Sequence, residues 1–148
     1  MPKEVNVITE ILIKAPIDTV AGFVANPDNA PKWYVNIKSV EWKTEKPLTT
    51  GSKIAFTAHF LGRKLSYIYE IVEFNANQNL VMKTAQGPFP MQTTYSWTKL
   101  DSNTTKMTLR NNGYPSGFSK LLAPLMRSAM KRANQKDLIK LKSILEGQ

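Results

Sequence analysis

The sequence predicts an α+β domain in which a long C-terminal helix packs against a seven-stranded antiparallel sheet. The central half of the chain is rich in β-branched and aromatic residues separated by short turns, which is typical of an antiparallel meander. The C-terminal segment carries apolar residues at helical spacing. With 148 residues, the chain is long enough to build one core. We therefore expect residues 1–148 to form a single domain.

The N-terminal elements are a strand and two short helices. Residues 5–13 alternate between apolar and polar side chains, as expected for a half-buried strand. Pro16 suits the first turn of a helix, which we predict over 16–25. The sequence Asn-Pro-Asp at 26–28 ends that helix, and a second short helix is predicted over 27–34.

Six further strands follow, and turn-forming Gly, Pro, Asn and Asp residues separate them. They are predicted over 37–45, 52–61, 64–74, 79–86, 91–100 and 104–111. Because each connecting turn is only a few residues long, consecutive strands must run antiparallel. The first strand makes the sheet seven-stranded.

The C-terminal helix is predicted over 118–146, where Leu, Met and Ala recur with the helical period over about seven turns. Pro124 lies beyond the first turn of a helix that begins at 118, so we expect a kink there. The apolar stripe of this helix must be buried, and one face of the sheet can bury it. The result is a two-layer α+β domain.

Five stretches of the chain resemble the SRPBCC superfamily of START-like and birch-pollen-allergen-like proteins, in particular its polyketide cyclase/dehydrase branch. They are IKAPIDTVAGFVANPDNAPKW at 13–33, FLGRKLSYIYEIVEF at 60–74, GPFP at 87–90, TTYSWTKL at 93–100 and the predicted helix at 118–146. The resemblance implies the helix-grip fold, a strongly curved antiparallel sheet around a long C-terminal helix. It also implies a cavity between sheet and helix that binds a hydrophobic small molecule.

Strand alternation indicates which side chains face this cavity, and the inward set is strongly aromatic. Large rings supply apolar contact area, and a phenol hydroxyl can fix one polar group of a ligand. The candidate ligand-binding residues are Trp33, Phe56, Phe60, Tyr67, Tyr69, Phe89, Met91, Tyr95, Trp97, Met107, Leu122 and Met126. The same side chains could instead fill an ordinary core, since aromatic stripes are usually buried.

Two segments are candidates for the mouth of the cavity. In the resembled fold, the short helix that ends at Trp33 and Tyr34 overlies one mouth, so this pair could control entry or simply hold the helix end in the core. The rigid turn at 87–90 would carry Phe89 near a mouth, although a connecting turn needs no such function.

The residue types present exclude several kinds of catalysis. The chain has no cysteine and a single histidine, which rules out thiolate chemistry and metal sites built on Cys or several His. We expect no metal and no cofactor. His59 lies on the strand parity opposite Phe56 and Phe60, which disfavours a role as general base. Since only the phenols of Tyr67, Tyr69 or Tyr95 could polarise a substrate carbonyl, a binding protein is favoured over an enzyme and no catalytic residue is predicted.

The formal net charge of +9 is concentrated at the C-terminus, where residues 118–148 hold seven basic and two acidic side chains. Most of the basic residues lie opposite the apolar stripe, as on the solvated face of an amphipathic helix. Weak contact with an anionic membrane surface is an alternative that would suit a carrier of apolar ligands. No RNA- or DNA-binding motif accompanies the charge, so we expect no nucleic acid partner.

The sequence therefore predicts binding of a hydrophobic small molecule that is lipid-, isoprenoid- or polyketide-like. One alternative is a polyketide cyclase/dehydrase-type enzyme that uses the same cavity, and another is a protein-interaction module that uses the basic surface. No apolar run approaches the roughly 20 residues of a membrane span, and the N-terminal segment lacks the apolar core of a signal peptide. We expect a cytoplasmic protein, either a monomer or a homodimer.

Overall fold

The structure is a computed structural model that describes residues 4–60, 62–87, 90–114 and 123–147. Its elements in chain order are β1 (Val5–Ile13), α1 (Ile17–Val24), a 3₁₀ turn (Pro27–Asn29), α2 (Ala30–Trp33), β2 (Ile37–Trp42), β3 (Lys53–Phe60), β4 (Arg63–Asn75), β5 (Asn79–Gln86), β6 (Met91–Asp101), β7 (Thr104–Gly113) and α3 (Ala123–Glu146). The seven strands form one curved antiparallel sheet around α3, so the predicted α+β helix-grip fold is confirmed.

The strand order is β1-β7-β6-β5-β4-β3-β2, in which every neighbouring pair except β1 and β7 is consecutive in the chain. The two short helices follow β1 and lead the chain to the opposite edge, where β2 begins. β1 and β7 pair from Val5 with Gly113 to Ile13 with Thr105. Because side chains alternate between the two faces of a strand, Val5 and Ile13 are buried together with Val7.

The two predicted short helices are present with slightly different bounds. α1 begins after Pro16, which occupies the N-cap position in an extended conformation. The Asn26 side chain then accepts a hydrogen bond from the Asp28 amide at 3.1 Å. The predicted helix over 27–34 is a 3₁₀ turn followed by the single turn of α2, which ends at Trp33.

The main core lies between the sheet and the C-terminal half of α3. Leu138, Leu141 and Leu145 recur on one helix face and are at most 4% exposed. They pack in one cluster with residues of α1 and of the inner sheet face. Towards its N-terminus, α3 presents Met126 and Met130 instead, in a separate smaller cluster. This change from branched leucine to flexible methionine coincides with the position of a cavity.

The expected kink at Pro124 depends on a helix that begins at residue 118. The described part of α3 runs from Ala123 to Glu146, so the kink expected at Pro124 stays a prediction. The predicted start at 118 lies outside the described residues. Among the described residues, no helix combines the length and the apolarity that a membrane crossing requires.

Candidate functional site

A cavity of about 140 Å³ lies between the inner face of the sheet and the N-terminal half of α3. Strands β2 to β7, α3 and the segment after α2 all contribute to its wall, and most of the lining side chains are aromatic, aliphatic or methionine. An apolar protein cavity of about 150 Å³ holds one benzene molecule. The cavity therefore has the size of a single ring or of a short aliphatic segment.

The aromatic side of the cavity comes from adjacent positions on β3 and β4. Phe56 pairs directly with Tyr67 across the two strands, and the Phe56 ring meets the Tyr69 ring edge to face at 5.8 Å between centroids. The rings of Tyr67 and Tyr69 are 5.7 Å apart. Because these residues share one strand parity, the alternation of the sequence is what places all three rings on one wall.

Six of the residues predicted from the sequence meet on the cavity wall. They are Phe56, Tyr67, Tyr69, Met91, Tyr95 and Met126. Trp33, Trp97 and Met107 lie elsewhere, in the main core, where each is at most 5% exposed. Strand alternation gives the correct inward face for Trp97 and Met107, but both lie too far along their strands to reach the cavity.

Three further candidates are not described in full. Phe89 and Leu122 lie outside the described residues, and of Phe60 only the backbone is described. The turn expected at 87–90 also falls largely outside the described part of the chain. The ligand-binding role of all the candidate residues stays a prediction.

A row of buried amides crosses the cavity wall from α3 to the sheet. The Asn134 side-chain amide donates to Asn111 Oδ1 at 2.7 Å, and the Asn111 amide donates to Thr93 Oγ1 at 2.8 Å. All three residues are at most 9% exposed, and buried polar groups need such partners. This row was not predicted from the sequence, although Asn134 is a polar residue midway between Met130 and Leu138 on a buried helix stripe and could have indicated it.

Asp137 is the one acidic residue on the described part of the cavity wall, and it was not predicted from the sequence either. Asp137 is only 2% exposed, and its Oδ1 atom accepts a hydrogen bond from the Val35 amide at 2.8 Å. Burial raises the pKa of this carboxyl from 3.8 to about 6, although the hydrogen bond from Val35 acts in the opposite direction. Asp137 lies four residues before Leu141 on the buried helix face, so helical periodicity could have revealed it.

Phenol hydroxyls are the other polar groups of the cavity. The phenol oxygens of Tyr34 and Tyr95 are 2.6 Å apart and share a hydrogen bond. Burial raises the pKa of Tyr34, Tyr67 and Tyr95, and it raises the pKa of Tyr69 to about 12. These phenols therefore stay protonated near neutral pH, where they can donate hydrogen bonds but cannot act as bases.

In the described part of the chain, neither a histidine nor a metal-binding group of side chains lies on the cavity wall. His59 is exposed on β3, on the parity opposite Phe56, as the alternation predicts. No group of three or more His, Cys, Asp and Glu residues among those described is arranged to hold a metal ion.

The basic residues of α3 lie away from the cavity. Arg127, Lys131, Arg132, Lys136 and Lys140 are all exposed, which is the solvated face that the periodicity predicts. Attraction of this face to an anionic membrane stays a prediction.

The sequence also matches a known protein family, and this match agrees with the fold. The fold combines a curved seven-stranded sheet, a long C-terminal helix and an apolar cavity between them. A sequence model of the polyketide cyclase/dehydrase and lipid transport family matches residues 4–146. The chain belongs to this family. The expected placement in the SRPBCC superfamily is thereby confirmed. The comparison with curated proteins gives no match.

Solved structures of this superfamily share the fold at low sequence identity. The START superfamily protein from Mycobacterium smegmatis has a TM-score of 0.82 and 14% identity, over 96% of this chain and 97% of that chain. The Zhui aromatase/cyclase from Streptomyces sp. R1128 has a TM-score of 0.82 and 12% identity, over 97% and 94%. Major latex-like protein 151 from Panax ginseng has a TM-score of 0.74 and 13% identity, over 96% and 97%. At these sequence identities, the similarity establishes the fold alone, and the function has to be argued from the residues of the site.

Proposed function

We propose that the protein binds a hydrophobic small molecule in the cavity between the sheet and α3. The observation that carries this proposal is the cavity of about 140 Å³ whose wall is mainly aromatic, aliphatic and methionine side chains. Apolar surface gains about 25 cal/mol per Å² when it leaves water, and here a ligand would contact rings on one side and methionines on the other. Membership in a family that is described by polyketide cyclase/dehydrase and lipid transport supports the same function.

The size of the cavity limits what it encloses. A volume of about 140 Å³ suits one ring, or the part of an isoprenoid, lipid or polyketide-like molecule that is as wide as one ring. Met126 and Met130 line the helix side, and flexible methionines allow such a wall to adapt to ligands of different shape. We therefore expect tolerance of different apolar bodies at this position.

A cavity-filling variant tests the proposal directly. Ala133 is half-buried on the cavity wall, so the indole of Ala133→Trp would occupy the space of a ligand. The matched control is Gln135→Trp, because Gln135 is exposed on the same helix. We expect the wild-type protein and the control to bind an apolar fluorescent dye, and the Ala133→Trp variant to bind it at least about tenfold more weakly.

Native mass spectrometry of the purified protein supplies an independent measurement, since a bound apolar ligand adds its mass to the chain. The proposal fails if no ligand copurifies and the wild-type protein binds no dye. It also fails if Ala133→Trp binds the dye as tightly as Gln135→Trp does.

A cyclase/dehydrase-type enzyme that uses the same cavity is the second candidate. It is favoured by Asp137, whose pKa of about 6 suits proton abstraction near neutral pH. The nearby phenols could donate a hydrogen bond to a substrate carbonyl. In Tyr67→Phe and Tyr95→Phe variants incubated with a polyketide-like diketone, loss of turnover with retained binding would favour catalysis. Unchanged turnover and binding would leave these hydroxyls without a catalytic role.

A further inference from the structure

Among the described residues that line the cavity, a single side chain carries a formal charge, and that side chain is acidic. The chain carries a formal net charge of +9, yet no Lys, Arg or His is among the described residues that line the cavity. Asp137 is the one lining residue in that set with a formal charge, and it is 2% exposed. An ionised carboxylate is costly to bury unless a partner compensates it.

The Asp137 carboxylate has acceptor positions that no described hydrogen bond occupies. A carboxylate offers about four acceptor positions, and the Val35 amide occupies one of them on Oδ1. Within the described residues, no ion pair reaches Asp137. The neighbouring hydroxyls of Tyr34 and Tyr95 share one hydrogen bond with each other, which uses one of their two protons. A ligand that brings its own donor to this point would therefore satisfy a group that the protein leaves underused.

We propose that the cavity selects ligands that carry a protonated amine on a ring or on a short apolar chain, with Asp137 as the counter-ion. This inference rests on the proposed function and specifies its ligand class. The ammonium would donate hydrogen bonds to the Asp137 carboxylate, and no basic side chain on the described wall would compete for that position. The faces of the surrounding aromatic rings also attract a cation.

The same arrangement discriminates against acidic ligands. A fatty acid or an aromatic acid would place a second negative charge beside the buried carboxylate of Asp137, and the two like charges would repel each other. An alcohol of the same shape would gain a hydrogen bond to Asp137 without the charge compensation. Affinity is therefore expected to decrease from amine to alcohol and to be lowest for the carboxylate.

The affinity for an amine should also depend on pH. The groups that act on Asp137 are the phenols of Tyr34 and Tyr95 and the ammonium of Lys140, which is exposed on α3. The pKa of each of these phenols is raised by burial, so the phenols stay neutral. The pKa of Asp137 is about 6. Amine affinity should therefore fall by up to about tenfold per pH unit as the pH drops below about 6.

Four one-ring molecules of matched shape test the inference: toluene, benzyl alcohol, benzylamine and benzoate. Their dissociation constants are measured by calorimetry at about pH 7.5, where Asp137 is ionised. We expect benzylamine to bind at least about tenfold more tightly than toluene and benzoate to bind most weakly. The inference is overturned if benzoate binds as tightly as benzylamine, or if benzylamine binds no more tightly than toluene.

Asp137→Asn is the decisive variant, because asparagine retains an oxygen that can accept the Val35 hydrogen bond. The ratio of the benzylamine affinity to the toluene affinity should fall at least about tenfold. Glu45→Gln is the matched control, since it removes one negative charge at an exposed position, and it should retain the wild-type ratio. A preference for benzylamine that survives Asp137→Asn overturns the inference.

The failure of this inference differs from the failure of the proposed function. If the wild-type protein binds toluene but shows no preference for the amine, only the inference is wrong. If neither toluene nor an apolar dye binds to the wild-type protein, the proposed function is wrong, and the inference that rests on it is wrong as well. A thermal unfolding curve of Asp137→Asn shows whether the variant is folded under the conditions of the assay.

Discussion

The phenol oxygens of Tyr34 and Tyr95 are 2.6 Å apart, and this hydrogen bond joins the end of α2 to the middle of β6. Trp33, one residue before Tyr34, is 1% exposed in the core, and its ring packs edge to face against Tyr95 at 5.8 Å. Two consecutive aromatic residues thus contact the same tyrosine, one through its ring and one through its hydroxyl. This pair holds the segment after α2 against the cavity wall.

The hydrogen bond between Tyr34 and Tyr95 should contribute measurably to stability. We expect Tyr34→Phe and Tyr95→Phe each to lower the free energy of unfolding by about 1 kcal/mol, the usual net value for one hydrogen bond. The double variant should lose less than the sum of the two, because both substitutions remove the same bond. Urea denaturation measures all three, with Tyr114→Phe at an exposed position as the control. Strict additivity would contradict the prediction.

The stability of the fold should depend on the ionisation of Asp137. The pKa is raised from 3.8 in the unfolded chain to about 6 in the folded protein, so protonation favours folding. This stabilisation is complete below about pH 4 and is lost as the pH rises through about 6. Asp137→Asn should therefore exceed the wild type by about 2 to 3 kcal/mol at pH 8, and the difference should vanish towards pH 4. Urea denaturation measures both proteins at pH 4 and at pH 8. If the difference in the free energy of unfolding between Asp137→Asn and the wild type is the same at both pH values, the raised pKa of Asp137 is refuted.

Leucines on the two faces of α3 should differ strongly in their effect on stability. Leu141 is 0% exposed and Leu125 is 57% exposed. Leu141→Ala leaves a cavity in the main core and should cost about 2 to 5 kcal/mol, whereas Leu125→Ala should change the free energy of unfolding by less than about 0.5 kcal/mol. Chemical denaturation of both variants checks the difference. Equal losses would mean that α3 packs on a different face.

Gly113 should be intolerant of any side chain. A Cβ atom at this position would lie 2.2 Å from the carbonyl oxygen of Pro90, so the backbone at the start of β6 would have to shift. We expect Gly113→Ala to lower the thermal midpoint and to cost about 1 to 3 kcal/mol. Gly22→Ala is the control, because a Cβ atom there meets nothing within 4 Å and α1 should gain about 0.5 to 1 kcal/mol. An unchanged Gly113→Ala melting curve would be inconsistent with this packing.

The order and type of the elements could be predicted because each has a simple period. Alternation identified β1, and apolar residues at helical spacing identified α3. The residues at which the elements end were predicted less accurately than their order and type. The strand predicted over 37–45 ends at Trp42, and beyond it the Thr44 hydroxyl accepts a hydrogen bond from the Lys53 amide at 3.0 Å. The Thr44 side chain thus takes the place of a backbone acceptor for the Lys53 amide, and such a bond leaves no periodic sign in the sequence.

The sequence predicts which face of each strand points towards the cavity, but it does not predict how far along the strand the cavity extends. Parity placed Tyr95 and Trp97 on the same inner face of β6, but only Tyr95 lines the cavity. Trp97 pairs with Met107 deeper in the core. The polar residues Asn111 and Asp137 were not predicted, because apolar positions alone define the inward stripes. The same periodicity places these two polar residues on the inward faces as well.

The local structure and the inward face of each element follow from the amino-acid sequence, because strand alternation and helical spacing are properties of neighbouring residues. The position along the sheet at which α3 packs with leucine, and the position at which it leaves a cavity, depend on how the helix and the sheet pack in three dimensions. That packing places Asp137, Asn111 and Tyr34, which are far apart in the chain, around a single cavity. The polarity of a site depends on which side chains converge in space, and one-dimensional spacing does not specify that convergence.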